Sequence, residues 1–284
     1  MARPLRIELP SALYHVTARG NARKPIFLSD HDRYQFLHVL AQIVKSHNWL
    51  IHAYCLMNNH YHLLIETPDG NLSRCMRDLN GIYSQRFNRI HNKVGHLFQG
   101  RFKSFLIEKE PYLLSVARYI ILNPVRAGIS EFPGDWKWSS YRATAGHCRP
   151  HAALTTDWIL GCFDGKKKQA QQAYIAFVKD GMWTDNPLSD VVEGNILGYP
   201  QYVHHVWSIK PNTDELKEVP RNERMVGRPK LEDLFIDLKN KKERNKMIEF
   251  AYFRCGYTQK NISDTLNLHY STVSKIINNS RFKT

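Results

Sequence analysis

The order of strand and helix patterns through the first 122 residues constrains the fold of this chain more than any other feature. Strand patterns carry β-branched and aromatic residues, whereas helix patterns repeat apolar residues at three- and four-residue spacing. In chain order they are a strand over 14–19, a helix over 29–47, strands over 49–56 and 60–67, a helix over 71–92, a strand over 100–107 and a helix over 110–122. This order predicts an α+β fold of the ferredoxin-like type, an antiparallel sheet with helices packed on one face.

A second group of helical patterns lies at the C-terminal end, after a polar stretch over 210–230 that is typical of a linker. A helix over 244–254 precedes a short helix over 258–266, a turn, and another helix over 269–277. These lengths predict a small all-α helix-turn-helix domain, although three helices that only pack together would show the same pattern. Its candidate DNA contacts are polar side chains of the last helix, Tyr270, Ser271, Thr272 and Lys275.

These patterns divide the chain into three regions. Residues 1–145 form the predicted α+β domain, and residues 221–284 form the predicted helix-turn-helix domain. Residues 146–220 between them are predicted to be an irregular connecting region. Its tryptophans indicate small packed segments, but the pattern assigns no architecture to them.

The chain is strongly basic, with 40 Lys and Arg against 26 Asp and Glu and a formal charge of +14. Residues 221–284 hold 14 Lys and Arg and 7 Asp and Glu, a net +7 that is half of the whole excess. Such an excess attracts polyanions, of which nucleic acid is the commonest, and its concentration at the C-terminal end favours contact with duplex DNA. Charge alone leaves open a basic protein without a nucleic-acid partner.

The sequence offers no sign of a membrane or secreted protein. No apolar run approaches the roughly 18–20 residues that a membrane span needs, and no secretory signal is visible. The five cysteines are scattered and include no C-x-x-C pair, which favours a reducing compartment over a disulfide framework or a zinc ribbon. We therefore expect a cytoplasmic, nucleoid-associated protein without a membrane partner.

A closely spaced histidine pair, His60 and His62, lies on the second strand of the predicted hairpin. Because side chains alternate faces along a strand, both imidazoles point the same way and Tyr61 points into the opposite layer. At about 7 Å apart, they could both reach one divalent cation. Two ordinary histidines on a partly buried sheet are the competing interpretation, unless a third ligand and a nucleophile lie nearby.

The third helix supplies candidates for both. Tyr119 and Asn123 are four residues apart and share a helical face. An asparagine oxygen is a suitable ligand for Mg²⁺ or Mn²⁺, and a tyrosine hydroxyl beside a metal-polarised phosphate is a plausible nucleophile. Tyr112 lies seven residues earlier on roughly the same face, so the pattern alone cannot choose between the two tyrosines.

Four motifs together resemble the single-tyrosine HUH transposases. They occur in order within residues 4–145 and are LMNNHYHLL at 56–64, FQGRF at 98–102, YIILNPVRAG at 119–128 and WKWSSY at 136–141. Within that family the chain is most similar to the branch associated with repetitive extragenic palindromes. The C-terminal helical domain lies outside the resemblance.

The resemblance implies a ferredoxin-like fold, a reaction and a set of residue roles. In that family the histidine pair, here His60 and His62, binds Mg²⁺ or Mn²⁺, and the tyrosine before the Asn-Pro step, here Tyr119, attacks the scissile phosphate. The products are a 5′-phosphotyrosine and a free 3′-hydroxyl. Asn123 matches a position where relatives carry a polar third ligand. Relatives recognise DNA hairpins beside the cut and are often dimers, which implies single-stranded or hairpin DNA and a homodimer as partners.

Basic residues around this predicted site would bind phosphates, and Phe102 or Trp138 would stack on unpaired bases. For the arginines of the second helix, which include Arg86 and Arg89, a solvated helix face is the alternative. The candidate phosphate contacts in this region are Arg19, Arg23, Lys24, Arg74, Arg77, Arg101 and Lys103.

The leading hypothesis is a metal-dependent single-stranded DNA endonuclease and strand transferase, a tyrosine transposase, with an added duplex-binding domain. A catalytically silent DNA-binding regulator on the same fold is the first alternative, although a regulator has no need of His60, His62 and Tyr119 together. A metal-dependent hydrolytic nuclease is the second alternative, and it would form no covalent protein–DNA adduct.

Overall fold

The computed structural model describes residues 7–163, 165–192, 195–209, 231–236, 238, 240–253 and 257–281. The chain divides into two compact units, which are described separately below. The larger unit comprises residues 12–68 and 75–206. The smaller unit comprises residues 7–11, residues 69–74 and the described residues from 207 onward.

Residues 12–121 contain the predicted order of strands and helices. The elements are β1 (Ala12–Arg19), α1 (Asp30–His47), β2 (Leu50–Leu56), β3 (His60–Thr67), α2 (Leu72–Ile90), β4 (Lys103–Ile107) and α3 (Lys109–Ile121). Strands β2, β3, β1 and β4 lie side by side in this order, and every pair is antiparallel. A fifth strand, β5 (Ile196–Leu197), adds to the edge parallel to β4. The predicted α+β class and antiparallel core are thereby confirmed.

Helices cover both faces of the sheet, so the prediction that they pack on one face is wrong. α1 and α2 lie on the face of Tyr61, whose ring is 4.7 Å from that of Phe36 on α1 and whose hydroxyl donates to Asn80 on α2. α3 lies on the opposite face, where its apolar residues share a core with Leu64 of β3. Because the inner strands bury apolar side chains on both faces, each face needs a covering layer.

Local signals set the ends of the helices that matter most for the site. Ser29 and Asp32 form a capping box at the start of α1, and Asn48 ends that helix in the left-handed conformation. α3 ends at Ile121, and Pro124 falls in the first turn of the next helix, where its missing N–H costs no intrahelical hydrogen bond. A single further turn, α4 (Asn123–Arg126), follows at once.

The region from residue 131 to residue 209 contains more regular structure than its pattern indicates. Its helices are α5 (Tyr141–Thr144), α6 (Asp157–Gly161), α7 (Lys167–Asp180) and α8 (Pro200–Ile209). The segment 136–140 lies along the free edge of β2, where the Leu56 amide donates to the Trp138 carbonyl at 2.9 Å. α7 buries Ala170, Tyr174 and Val178 in the core that also holds α3. The domain boundary predicted after residue 145 stays a prediction.

The smaller unit contains three helices near the C-terminal end of the described chain, α9 (Lys241–Phe253), α10 (Gln259–Thr265) and α11 (Tyr270–Arg281). They share a small apolar core of Ile248, Ala251, Ile262, Val273 and Ile277. These helices agree with the predicted ones, whereas the helix-turn-helix arrangement stays a prediction. The predicted linker over 210–230 and the boundary at residues 220–221 lie outside the described residues. None of the described helices is long and apolar enough to cross a bilayer.

Candidate active site

β3 places His60 and His62 on one face of the sheet, as the alternation of side chains along a strand requires. Their ring centroids lie 4.9 Å apart, and the ring planes are inclined by 80°. His60 lies directly opposite Arg19 of β1 and is half-buried, whereas His62 is buried. The two imidazoles are close enough to share one small ligand between them.

α3 packs on the same face of the sheet as the histidine pair and brings Tyr119 close to it. The Tyr119 ring centroid is 6.2 Å from that of His62 and 6.0 Å from that of His15 on β1, and the phenol meets both imidazoles nearly edge-on. Tyr119 is half-buried in this position. The structure thus brings together the two histidines and the tyrosine of the sequence hypothesis, and it adds His15.

Tyr112, the competing tyrosine, has a different neighbourhood. Its ring packs against Tyr199, with centroids 5.9 Å apart. Since Tyr112 lies seven residues before Tyr119, it is displaced by about 10 Å along the helix axis. The contacts of α3 therefore favour Tyr119 as the residue beside the histidines.

The side-chain amide of Asn123 caps the C-terminal end of α3. Its Nδ2 donates to the Tyr119 carbonyl at 2.9 Å and to the Ile120 carbonyl at 3.3 Å. These bonds satisfy two of the carbonyls that a helix end leaves without intrahelical partners. The same bonds tie Asn123 to the backbone of Tyr119, so the predicted ligand and the predicted nucleophile are held together. The ligand role of Asn123 stays a prediction.

Burial keeps both histidines of the pair neutral. It lowers the pKa of His62 well below the usual value, and the nearby His15 and His60 lower it further. Burial, followed by the charge of Arg19, also lowers the pKa of His60. A neutral imidazole has a free lone pair on one nitrogen, and this is the form that binds a metal cation.

The phenol of Tyr119 experiences two opposing influences. Burial raises its pKa above the usual value, and the positive charge of Arg126 acts in the opposite direction. The guanidinium carbon of Arg126 lies 5.1 Å from the centroid of the Tyr119 ring. Arg126 itself is held by a bond from its Nη2 to the Thr184 carbonyl at 2.8 Å. A cation is therefore fixed where it would stabilise a phenolate.

The donor chemistry of the pair fits a divalent cation. His62 Nε2 is buried and, within the described part of the chain, has no hydrogen-bond partner. A buried nitrogen without a partner costs free energy, and a bound cation would remove that cost. Among the described residues, no three His, Cys, Asp or Glu side chains cluster as ligands.

Two predicted phosphate contacts share the face of the histidine pair. Arg19 lies opposite His60 and donates to the side-chain oxygen of Gln99 at 3.1 Å. Lys103 of β4 is paired with Thr17 of β1, whose other partner is His62. Residues paired across strands project from the same face, so both cations point toward the side on which Tyr119 lies.

The other predicted phosphate contacts are more scattered. Arg23 and Lys24 are exposed beyond the end of β1, and Arg101 is exposed just before β4. Arg77 is exposed on α2, which covers the face opposite to the histidines. Arg74 belongs to the smaller unit, where it donates to the Tyr252 carbonyl at 2.6 Å. Within the larger unit, the structure does not bring Arg77 to the histidine pair.

The predicted contacts of the smaller unit lie at the start and on the outer side of α11. Tyr270, Ser271 and Lys275 are exposed and Thr272 is half-buried, whereas Val273 is buried in the core of the unit. A polar, solvent-facing surface is therefore available on α11.

Three residues at the site are not singled out by sequence patterns: His15, Asn59 and Arg126. His15 becomes visible only when the register of β1 and β3 is known, because it lies 47 positions from its partner His62. Asn59 and Arg126 stand inside the motifs around the histidine pair and the Asn-Pro step. Their closeness in sequence to His60 and Asn123 is the signal that could have identified them.

Residues 9–123 match the family model described as "Transposase IS200 like". This part of the chain is therefore similar to the IS200-like transposases. The matched stretch includes His15, His60, His62, Tyr119 and Asn123. Arg126 lies just beyond it.

This chain is also similar to two named proteins. It is 26% identical over 140 residues to a protein of Haemophilus influenzae named as a REP-associated tyrosine transposase, a match that covers 45% of this chain and 79% of that protein. A solved structure of a REP-associated tyrosine transposase bound to a REP hairpin aligns with 59% of this chain and 93% of its own, at a TM-score of 0.45 and 19% sequence identity.

Proposed function

We propose that this transposase cleaves and rejoins single-stranded DNA through Tyr119, with a divalent cation, Mg²⁺ or Mn²⁺, held by His60 and His62. The observation that most supports this proposal is the edge-on approach of the Tyr119 ring to His62, at a centroid distance of 6.2 Å. A nucleophile beside two neutral imidazoles is an arrangement that phosphoryl transfer uses and that a passive DNA-binding protein does not need.

The reaction exchanges one phosphodiester for another. The Tyr119 oxygen forms a bond to the scissile phosphorus, and the bond from phosphorus to the 3′ oxygen breaks. The phenol loses its proton and the leaving 3′ oxygen gains one, so the products are a 5′-phosphotyrosine and a 3′-hydroxyl. Because the new ester resembles the old one in energy, a second DNA end can reverse the step without ATP.

The bound cation would offset the negative charge that develops on the phosphate. His60 and His62 would hold it, with Asn123 as a further oxygen donor. Arg126 would stabilise the Tyr119 phenolate, since a fixed cation near a phenol favours its charged form. Arg19 and Lys103, which share the face of the pair, would bind the phosphates that flank the cut.

The proposed substrate is single-stranded DNA that bears a hairpin next to the cleaved bond. The chain's charge of +14 and its similarity to REP-associated transposases support a DNA partner. The exposed polar side of α11 and the net charge of +7 over 221–284 support duplex binding by a C-terminal helix-turn-helix. We further propose that the protein is a homodimer and that it is located in the cytoplasm, in association with the nucleoid.

The deciding experiment looks for the covalent intermediate. The full chain is incubated with Mn²⁺ and labelled single-stranded hairpin DNA, and a protein–DNA adduct that resists denaturant is measured on a gel. Wild type should form the adduct and Tyr119→Phe should not, while Tyr112→Phe serves as the matched control and should retain it. Loss in Tyr112→Phe alone would move the nucleophile to Tyr112.

The same experiment separates the alternative functions. A hydrolytic nuclease would release free DNA ends without an adduct, and a silent regulator would bind the hairpin and leave it intact. Either result with wild-type protein would refute strand transfer through a tyrosine.

A further inference from the structure

Each imidazole of the pair has one ring nitrogen engaged by another side chain of this chain. The Nδ1 of His60 lies 2.7 Å from the Oδ1 of Asn59. The Nδ1 of His62 lies 2.8 Å from the Nε2 of His15. In both rings the nitrogen left for another ligand is therefore the same one, Nε2.

The bond to Asn59 fixes the tautomer of His60. An amide oxygen carries no proton to donate, so the proton of this bond belongs to His60 Nδ1 and the lone pair of the neutral ring belongs to Nε2. The amide is held in this orientation because its Nδ2 donates to the Arg23 carbonyl at 3.0 Å. The Asn59 carbonyl also accepts from the Gly20 amide at 2.8 Å, which fixes the backbone of the turn.

His15 holds His62 in a comparable way from the neighbouring strand. The two rings are nearly parallel, inclined by 10°, with centroids 5.1 Å apart, and Phe105 packs against the other side of His15. His15 is almost completely buried, so its ring has little freedom to turn. A hydrogen bond between two imidazole nitrogens carries one proton. Ligation through His62 Nε2 therefore requires that His62 Nδ1 donates and His15 Nε2 accepts.

We infer that Asn59 and His15 are positioning residues that hold His60 and His62 in the Nδ1–H form, so that both rings present Nε2 to the same divalent cation. This inference rests on the metal-binding part of the proposed function and names the residues that make the pair competent. Partners of this kind set the tautomer and orientation of a ligating histidine, and their loss typically costs about 10–100-fold in metal affinity.

The first test reads the tautomers directly. Full-length protein labelled with ¹⁵N-histidine is studied by two-bond ¹H–¹⁵N correlation spectroscopy, without metal and with Mg²⁺, and single His→Gln variants assign the signals. We expect His60 as the Nδ1–H tautomer in both states and His62 as the Nδ1–H tautomer with Mg²⁺. A proton on Nε2 of His60, or on Nε2 of Mg²⁺-bound His62, would overturn the inference.

The second test measures affinity for Mn²⁺ by the electron paramagnetic resonance signal of the free ion. Asn59→Ala and His15→Phe should each raise the dissociation constant by about 10–100-fold. Asn59→Asp keeps an acceptor oxygen at the same position and should restore affinity to within a few-fold of wild type. Wild-type affinity in Asn59→Ala or in His15→Phe would contradict the inference.

Two control variants separate positioning from general damage. Asn88→Ala removes an amide that donates to the Gly95 carbonyl, and His91→Phe removes an imidazole bonded to Asp32. Both should bind Mn²⁺ like wild type. If His15→Phe fails to fold, the tautomers of the wild-type protein and the Asn59 variants still decide the matter.

Failure here differs from failure of the proposed function. Wild-type protein that binds Mn²⁺ with the expected tautomers but forms no Tyr119 adduct refutes strand transfer and leaves the positioning roles intact. An adduct together with unchanged Mn²⁺ affinity in Asn59→Ala and His15→Phe refutes the positioning roles alone. Wild-type protein that binds no Mn²⁺ refutes both.

Discussion

Two buried, neutral histidines at the candidate site make the stability of the protein depend on pH. Burial lowers the pKa of His15 to about 3, and it lowers that of His62 well below its usual value. Unfolding returns both rings to water, where they take up protons below about pH 6.5. The unfolded chain then binds more protons than the folded chain, so the free energy of unfolding decreases as the pH falls below that value.

We expect each of these rings to contribute a slope that approaches about 1.4 kcal/mol per pH unit once the pH is below 6.5. Urea unfolding of metal-free protein at a series of pH values between neutral and mildly acidic measures this slope. His15→Phe, which cannot titrate at this position, should reduce the slope by roughly one proton. An identical pH dependence in wild type and His15→Phe would show that His15 takes up no proton on unfolding.

Arg126 is the charged group that opposes the effect of burial on the pKa of Tyr119. Removing the guanidinium in Arg126→Ala leaves burial unopposed and raises the pKa of the Tyr119 phenol further. We expect the rate of adduct formation at neutral pH to fall, because a smaller fraction of the phenol is ionised, and to recover partly at higher pH. Single-turnover rates across a pH series measure the effect.

Arg126→Lys is the matched variant, because it keeps a positive charge near the ring. It should retain most of the rate if charge is what matters. Equal losses in Arg126→Ala and Arg126→Lys, with no change in the pH profile, would instead assign Arg126 to packing against Tyr119 and Thr184.

Sequence patterns predict the strands and helices whose boundaries depend on neighbouring residues. The strand and helix patterns recover β3 at His60–Thr67 and α1 at Asp30–His47, because alternation, capping and turn residues all lie within a few positions of each other. β5 and the edge segment 136–140 depend on pairing with distant strands, so no local pattern reveals them. The same limit hides the position of α3 on the face of the histidines and the contact of His15 with His62.

α3 is fixed to the sheet at the end opposite to Tyr119. Nζ of Lys109, the first residue of α3, lies 2.9 and 2.8 Å from the two carboxylate oxygens of Glu66 and 3.4 Å from the centroid of the Trp158 ring. Burial alone would raise the pKa of Glu66, but hydrogen bonds from His52 and Lys109 hold it below the usual value. The carboxylate is therefore charged and tied to the helix that carries Tyr119.

Replacement of Lys109 tests how much this attachment stabilises the fold. In Lys109→Met, the buried Glu66 carboxylate keeps its hydrogen bond with His52 but loses its ion pair with Lys109. This loss should lower the free energy of unfolding by about 1–3 kcal/mol. Urea unfolding at neutral pH measures the change.

Lys137→Met is the matched control, since Lys137 bonds Asp30 in a pair whose two side chains are about half exposed. Exposed pairs contribute little, so this variant should lose much less stability than Lys109→Met. If both lysine variants lower the free energy of unfolding equally, the burial of Glu66 does not make its ion pair with Lys109 more stabilising than an exposed pair.

The whole molecule combines two units with different candidate substrates. The larger unit carries the histidine pair and Tyr119, which suit an unpaired strand, and the smaller unit carries the polar side of α11 and a surplus of positive charge. If the smaller unit binds duplex DNA, the chain would recognise a junction of paired and unpaired DNA through separate surfaces. Variants on α11 should then change duplex binding without changing cleavage of a short single strand.

Lys275 tests this division of labour. Lys275→Ala on α11 should weaken duplex binding and reduce the slope of log affinity against log salt concentration by about 1, as expected for one lost phosphate contact. The Tyr119 adduct on single-stranded DNA should form at the wild-type rate. Lys242→Ala, on the exposed side of α9, is the control and should leave the slope unchanged. If both variants reduce affinity and slope equally, diffuse charge explains the binding and α11 is not a recognition helix.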